Sequence, residues 1–208
     1  VQNTIVGALA GDALTDADFN VAVGYAALSA DQLGSKSTAI GTQALGAQTF
    51  TTATEAFNVA VGFQAGSTIS TGSNNTLVGG LTGDALTTGQ ENVAMGRNAL
   101  TSDTKGQQNV ALGNGALQSQ NFTTATNSLN TAVGYIAGVS VTTGLYNTLI
   151  GASAGSLLTD ADQNVAIGLN ALGSDTKGSF SVAVGTSALA AQNFATAFDT
   201  YNSAVGLN

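Results

Sequence analysis

The phrase "NVAVG", residues 20–24, returns as "NVAVG" at 58–62, "NVAMG" at 92–96, "NVALG" at 109–113, "NTAVG" at 130–134 and "NVAIG" at 164–168. Taking every copy, the closing glycines are Gly7, Gly24, Gly41, Gly62, Gly79, Gly96, Gly113, Gly134, Gly151, Gly168, Gly185 and Gly206. They are spaced by 17 residues, with 21 after Gly41, Gly113 and Gly185, so a super-repeat of 72 residues overlies the basic unit. Self-similarity at this scale marks an architecture in which each copy packs on the next.

The unit has fixed columns. The residue before each glycine is aliphatic, from Val6 and Val23 to Ile167 and Val205. Four places before it stands Asn in ten of twelve copies, with Ser37 and Ser181 as the exceptions. Three places after it stands Ala, except at Thr82. The next residue alternates in pairs, Gly11, Leu28, Leu45, Gly66, then Gly83, Leu100, Leu117, Gly138, which shows the four-unit period independently of spacing.

Seventeen residues are too few for a helix-turn-helix unit, and β-branched residues bounded by glycine favour short strands. The expected fold is all-β: a parallel β-solenoid of twelve coils, residues 1–208 forming one domain. At about 4.8 Å per coil the rod would be about 55–60 Å long. Asn20, Asn58, Asn92, Asn109 and Asn164 are expected to form a hydrogen-bonded ladder along it. Glycine after each strand permits a corner of positive φ.

Within a strand, Val21 and Val23 face one way and Ala22 the other. Both faces are apolar, so both are expected to be covered. One narrow coil has one interior, and the expected cover of the second face is another copy of the chain. The strand-closing aliphatic column is expected to give about 20–35 kcal/mol of gross burial, at 1.5–3 per side chain, against chain entropy.

Composition narrows the function classes. There is no Pro, Cys, His or Trp, and the net charge is −8 with four basic residues. Nucleic acid and anionic membrane surfaces are unfavoured partners. Disulfides and thiolate metal sites are excluded, and no apolar run approaches a membrane span. No cofactor is implied. Without His or Cys, catalysis would need paired carboxylates, and the acids belong mostly to repeat columns, so no enzyme is expected.

The stretch "NTAVGYIAG…TTGLYNTLIGASAG", residues 130–155, resembles the repeats of phage tail fibres of the marine type, and more distantly the head repeats of trimeric autotransporter adhesins. Adhesin heads typically have shorter units, and the 17/21 spacing with the recurring "TTG" favours the fibre. The resemblance implies a homotrimeric β-roll that attaches a virion or cell to a host surface, located on the tail fibre or the cell exterior. The implied partners are the chain itself and a host-surface glycan or protein. A bacterial adhesin head, or a single-chain solenoid binding ice or carbohydrate, is the alternative. The pattern runs from Asn3 to Asn208 without capping repeats, which suggests a segment of a longer fibre.

The four-residue insertions, in "AQTFTTATEAFN", "SQNFTTATNSLN" and "AQNFATAFDTYN", place Phe50, Phe122 and Phe194 in one column. Phe57, Leu129 and Tyr201 share another. Phe50, Phe122, Phe194, Phe57 and Tyr201 are candidate surface-binding residues. The competing reading is that the aromatics plug widened coils. Asp16 and Asp18, repeated as Asp160 and Asp162, suggest a hard cation such as calcium, or a solvated turn. Asp31, Asp103 and Asp175 share a column, the last two beside Lys105 and Lys177 in "SDTKG", which suggests turns with local ion pairs. "LGSKST" (33–38) fails as a phosphate loop, lacking Gly-Lys and a following helix. Pairs such as Thr87-Thr88 and Thr142-Thr143 do not occur on every coil, as an ice-binding array would need.

Overall fold

The computed structural model describes residues 2–207 and is an all-β parallel solenoid, without a helix among those residues. Each phrase forms a three-residue strand: Thr4–Val6, Val21–Val23, Thr38–Ile40, Val59–Val61, Thr76–Val78, Val93–Met95, Val110–Leu112, Thr131–Val133, Thr148–Ile150, Val165–Ile167, Val182–Val184 and Ser203–Val205. They build one twelve-stranded sheet in chain order. Every pair is parallel and in equivalent register, so Ala94 lies beside Ala111 and Met95 beside Leu112. The 21-residue steps do not disturb this, since Ala39 still pairs with Ala60. Each insertion instead adds a short second sheet: Gly34–Ser35 with Thr54–Glu55, Gly106–Gln107 with Thr126–Asn127, and Gly178–Ser179 with Phe198–Asp199.

The strand-closing glycine fixes the coil spacing. Gly96 has φ +128°, a region closed to L side chains, and a Cβ there would lie 2.6 Å from the carbonyl carbon and oxygen of Gly113. Coils therefore meet backbone to backbone at this corner. Many of the remaining corners use non-glycine residues in the left-handed region, Leu28 (φ 52°) and Lys36 (φ 63°) among them. Such residues cost about 1–2 kcal/mol each. Coil-to-coil hydrogen bonds at the same positions offset that cost, as where the Leu28 N–H donates to the Ala44 carbonyl at 3.0 Å.

The interior is lined by the strand-centre and post-glycine alanines, for example Ala94 and Ala99, both fully buried. The leucine after the post-glycine alanine fills what remains, but only in half of the coils. Where that residue is glycine, a large apolar side chain three places later takes the space: Ile69 after Gly66, Leu86 after Gly83, Val141 after Gly138, Leu158 after Gly155. Leu77 completes the exchange. A Cβ on Gly66 or Gly83 would lie 2.9 or 3.0 Å from its methyl groups. Native-density packing demands such volume exchange.

One energetic expectation is corrected here. The strand-closing aliphatics point outward, not into the core: Ile40, Met95 and Ile150 are about 38 %, 45 % and 38 % exposed. Alternation places the strand-centre residue, alanine in most coils and leucine at Leu77 and Leu149, inside and the strand-closing aliphatic outside. The chain's own hydrophobic burial thus rests on the alanine and leucine columns.

Gly96→Ala is expected to destabilise the fold by about 1–3 kcal/mol or more, read as a fall in the urea midpoint. Gly80→Ala should leave the midpoint unchanged, because the nearest atom to its Cβ position is 4.0 Å away.

Candidate functional site

The asparagine column forms an internal rail, interrupted at Ser37 and Ser181. The Asn92 N–H donates to Asn75 Oδ1 (3.1 Å), and Asn92 Nδ2 donates to the Gly106 carbonyl (3.0 Å). Asn109 repeats this on Asn92, and Asn58, Asn20 and Asn164 accept from the backbone of the next coil in the same way. These side chains are at most 1 % exposed. Each satisfies backbone groups that a three-residue strand would leave unpaired in the interior.

The widened coils are built on a second buried network. Asp103 Oδ1 accepts from the N–H groups of Gly106 (2.9 Å) and Phe122 (3.1 Å), and its Oδ2 accepts from Gln120 Nε2 (2.6 Å). Gln120 Oε1 in turn accepts from Asn130 Nδ2 at 2.8 Å. Asp31 with Gln48, Phe50 and Asn58 repeats the arrangement, as does Asp175 with Gln192, Phe194 and Asn202. Asp31, Asp103 and Asp175 are fully buried, and Lys177 pairs with Asp160 (3.5 Å) rather than with Asp175. The expectation of exposed turns with local ion pairs is therefore corrected. Each aspartate receives the backbone of a four-residue insertion one coil further on. The sequence signal was available: seven residues after each closing glycine the column reads apolar, apolar, Asp, Gln, with Ile69, Leu86, Asp103 and Gln120 as one turn of the cycle.

Phe50 and Phe122 are buried, 7 % exposed, so they plug widened coils instead of offering their rings to solvent. Phe194 is half-buried and stacks on Phe198, with ring centroids 5.3 Å apart. Phe57 and Tyr201 are exposed, 47 % and 70 %. Lys36 Nζ lies 5.2 Å from the Phe57 ring centre and pairs with Glu55, while Tyr201 stacks on Phe180 at 5.1 Å.

A groove of about 400 Å3 lies beside the first short second sheet, lined by Asp16, Asp18, Phe19, Lys36, Thr54 and Glu55 among others. Asp16 and Asp18 lie here with no cluster of acids suited to a metal ion among the described residues. In the corresponding acidic turn near the other end, burial pushes the Asp162 carboxyl up. The hydrogen bond it accepts from the Leu145 N–H opposes this, and the like charges of Asp160 and Asp199 add to it. Burial acts upward on Asp160 too, but the Thr159 hydroxyl, its own backbone N–H and Lys177 outweigh it and hold that carboxyl low.

The other surface feature is the outward face of the twelve-stranded sheet. Its two side-chain columns hold only Val, Ile, Leu, Met, Thr and Ser, with no charge from Thr4 to Val205. Tyr25, Phe63 and Tyr135, in the column after the glycine, flank it with more than half of their surfaces exposed. Compared with protein families, curated proteins and solved structures, the chain matches none.

Gln120→Leu removes one donor from buried Asp103 and the acceptor of Asn130, and is expected to cost about 1–3 kcal/mol, measured by urea unfolding. Asp162→Asn tests the acidic turn. A carboxyl raised in the folded state disfavours folding once ionised and is without penalty when protonated in both states. The variant should thus be slightly more stable than the parent near pH 7, with the difference vanishing as the pH falls below the carboxylate range.

Proposed function

We propose that this chain is a stiff, non-catalytic segment of a host-attachment fibre, in which three copies lie side by side with their twelve-stranded sheets facing a common axis. The observation that carries the reading is the outward sheet face. It is an uncharged strip, about 55 Å by 10 Å from strand spacing and rise, on a chain of net charge −8. With its aromatic flank it reaches the upper end of the apolar patches that monomers expose. The chain's charges, mostly acidic, lie outside the strip, so the strip is where self-association costs least.

Parallel rods around a rotation axis bring identical coils to equal heights, so each rung meets its own counterpart and the contact closes. Cyclic packing of this kind gives a shaft whose stability adds to that of each coil. The resemblance of the repeat phrases to phage tail fibres supports the same reading, and with it a place on a virion tail or cell exterior and a host-surface partner. One observation favours a single-chain binder of ice or carbohydrate instead: Thr4, Thr38, Thr76, Thr131 and Thr148 lie in one outward column of the sheet. Valines interrupt that column, among them Val59 and Val93, and weaken a regular array of hydroxyls.

Light scattering after size exclusion should give about three times the chain mass of 20.4 kDa. Val93→Lys, which places a charge in the strip, should shift the population to the single-chain mass with the β circular-dichroism spectrum retained. A parent protein of single-chain mass would overturn the fibre reading and favour the single-chain binder.

A further inference from the structure

The three super-repeats are internal copies of one another, so their differences separate what the fold requires from what it leaves free. Beneath each widened coil the Asp, Gln, Phe and Asn of the network are the same residues in all three, while the neighbouring position varies as Ser37, Asn109 and Ser181. On the surface above it several exposed positions change, while Asp16 and Asp18 recur in the third copy as Asp160 and Asp162. Phe19 becomes Glu91 and Gln163, Lys36 becomes Gln108 and Phe180, and Glu55 becomes Asn127 and Asp199. Phe57 becomes Leu129 and Tyr201. The backbone is nonetheless constant, with two-residue second sheets in equivalent register at all three places. A constant frame carrying variable exposed side chains is how binding loops are built on rigid scaffolds.

We propose that the surface of the widened coils binds uncharged glycan, with the groove at Asp16, Asp18, Phe19, Lys36, Thr54 and Glu55 as a subsite. The groove, at about 400 Å3, exceeds the ~300 Å3 at which small-ligand sites begin. Its wall pairs the half-exposed Phe19 ring with carboxylate, hydroxyl and ammonium groups. A sugar ring offers the complement: a C–H face for the aromatic and hydroxyl donors for the carboxylates. Lys36 is held by Glu55 and by the Phe57 ring, so it adds no free positive charge for an anion. The acids outnumber it, which disfavours sialylated, sulfated or phosphate-bearing glycans. The corresponding surface near the other end, with Asp160, Asp162, Phe180, Asp199 and Tyr201, repeats the aromatic-plus-carboxylate chemistry in a different arrangement. None of the groove residues belongs to the twelve-stranded sheet, so the strip and the groove are separate surfaces.

The proposal rests on the attachment reading for its biological sense, but its test is separate from that of the assembly. The full chain is titrated with chitotetraose, maltohexaose and cellohexaose, and with heparin as a polyanion, by saturation-transfer NMR and calorimetry. At least one neutral oligosaccharide should bind while heparin does not. Phe19→Asn, which suits the left-handed backbone at that position (φ 61°), should weaken binding about tenfold with the melting curve unchanged. Absence of binding to all three sugars, preference for heparin, or binding indifferent to Phe19→Asn would each overturn it. A trimer that binds no sugar removes the groove reading and leaves the shaft; a sugar-binding monomer does the reverse.

Discussion

The structure depends on how closely two coils can approach at the end of a strand. At that corner the backbone of one glycine lies against the carbonyl of the next, with no room for a single methyl group and with a φ that no L side chain adopts. Eleven copies of the constraint, from Gly7 to Gly185, set one spacing for the described rod. Once it is fixed, the strand hydrogen bonds, the asparagine rail and the alanine contacts all fall at the same distance, each strengthening the next. An error at one corner would be felt along the sheet, because its neighbours have no slack to absorb it.

The super-repeat of four coils follows from packing in pairs. In one pair, a leucine at a strand centre such as Leu77 bridges two glycines, and Ile69 and Leu86 close the space beyond them. In the other pair, Leu100 and Leu117 occupy the glycine positions, the strand centres shrink to alanine, and Asp103 and Gln120 join across the coils. Neither pair is interchangeable with the other. A leucine moved into a polar coil would displace the aspartate that holds the next insertion. Four coils are thus the smallest set in which apolar volume and buried polar groups are both accounted for, and no buried side-chain nitrogen or oxygen lacks a partner among the described residues.

The architecture was legible because it is written in spacing: the glycine steps, the aliphatic alternation and the asparagine column define a parallel solenoid without reference to side-chain contacts. Which apolar face lies inside was less legible. Alternation distinguishes two faces of Val-Ala-Val but does not say which is core; the stacked coils place the strand centre inside. The buried aspartates were misread for a related reason. An acid beside Lys in "SDTKG" looks like a surface turn when its own loop is read alone. Its real partners, Gln120 and the Phe122 N–H, lie 17 and 19 residues further on and become neighbours only when the coils stack.

The same stacking limits where function can reside. Interior columns are bound by spacing and volume, and their residues vary little. The sheet face is bound only to stay uncharged and β-compatible, which suits a surface that meets copies of itself, where one composition must serve at every height. The second-sheet side of the widened coils is bound least of all: the four added residues leave the regular wall, yet the buried aspartate holds their backbone in place. Variation is therefore cheap there and geometry is preserved, two properties that a recognition surface needs.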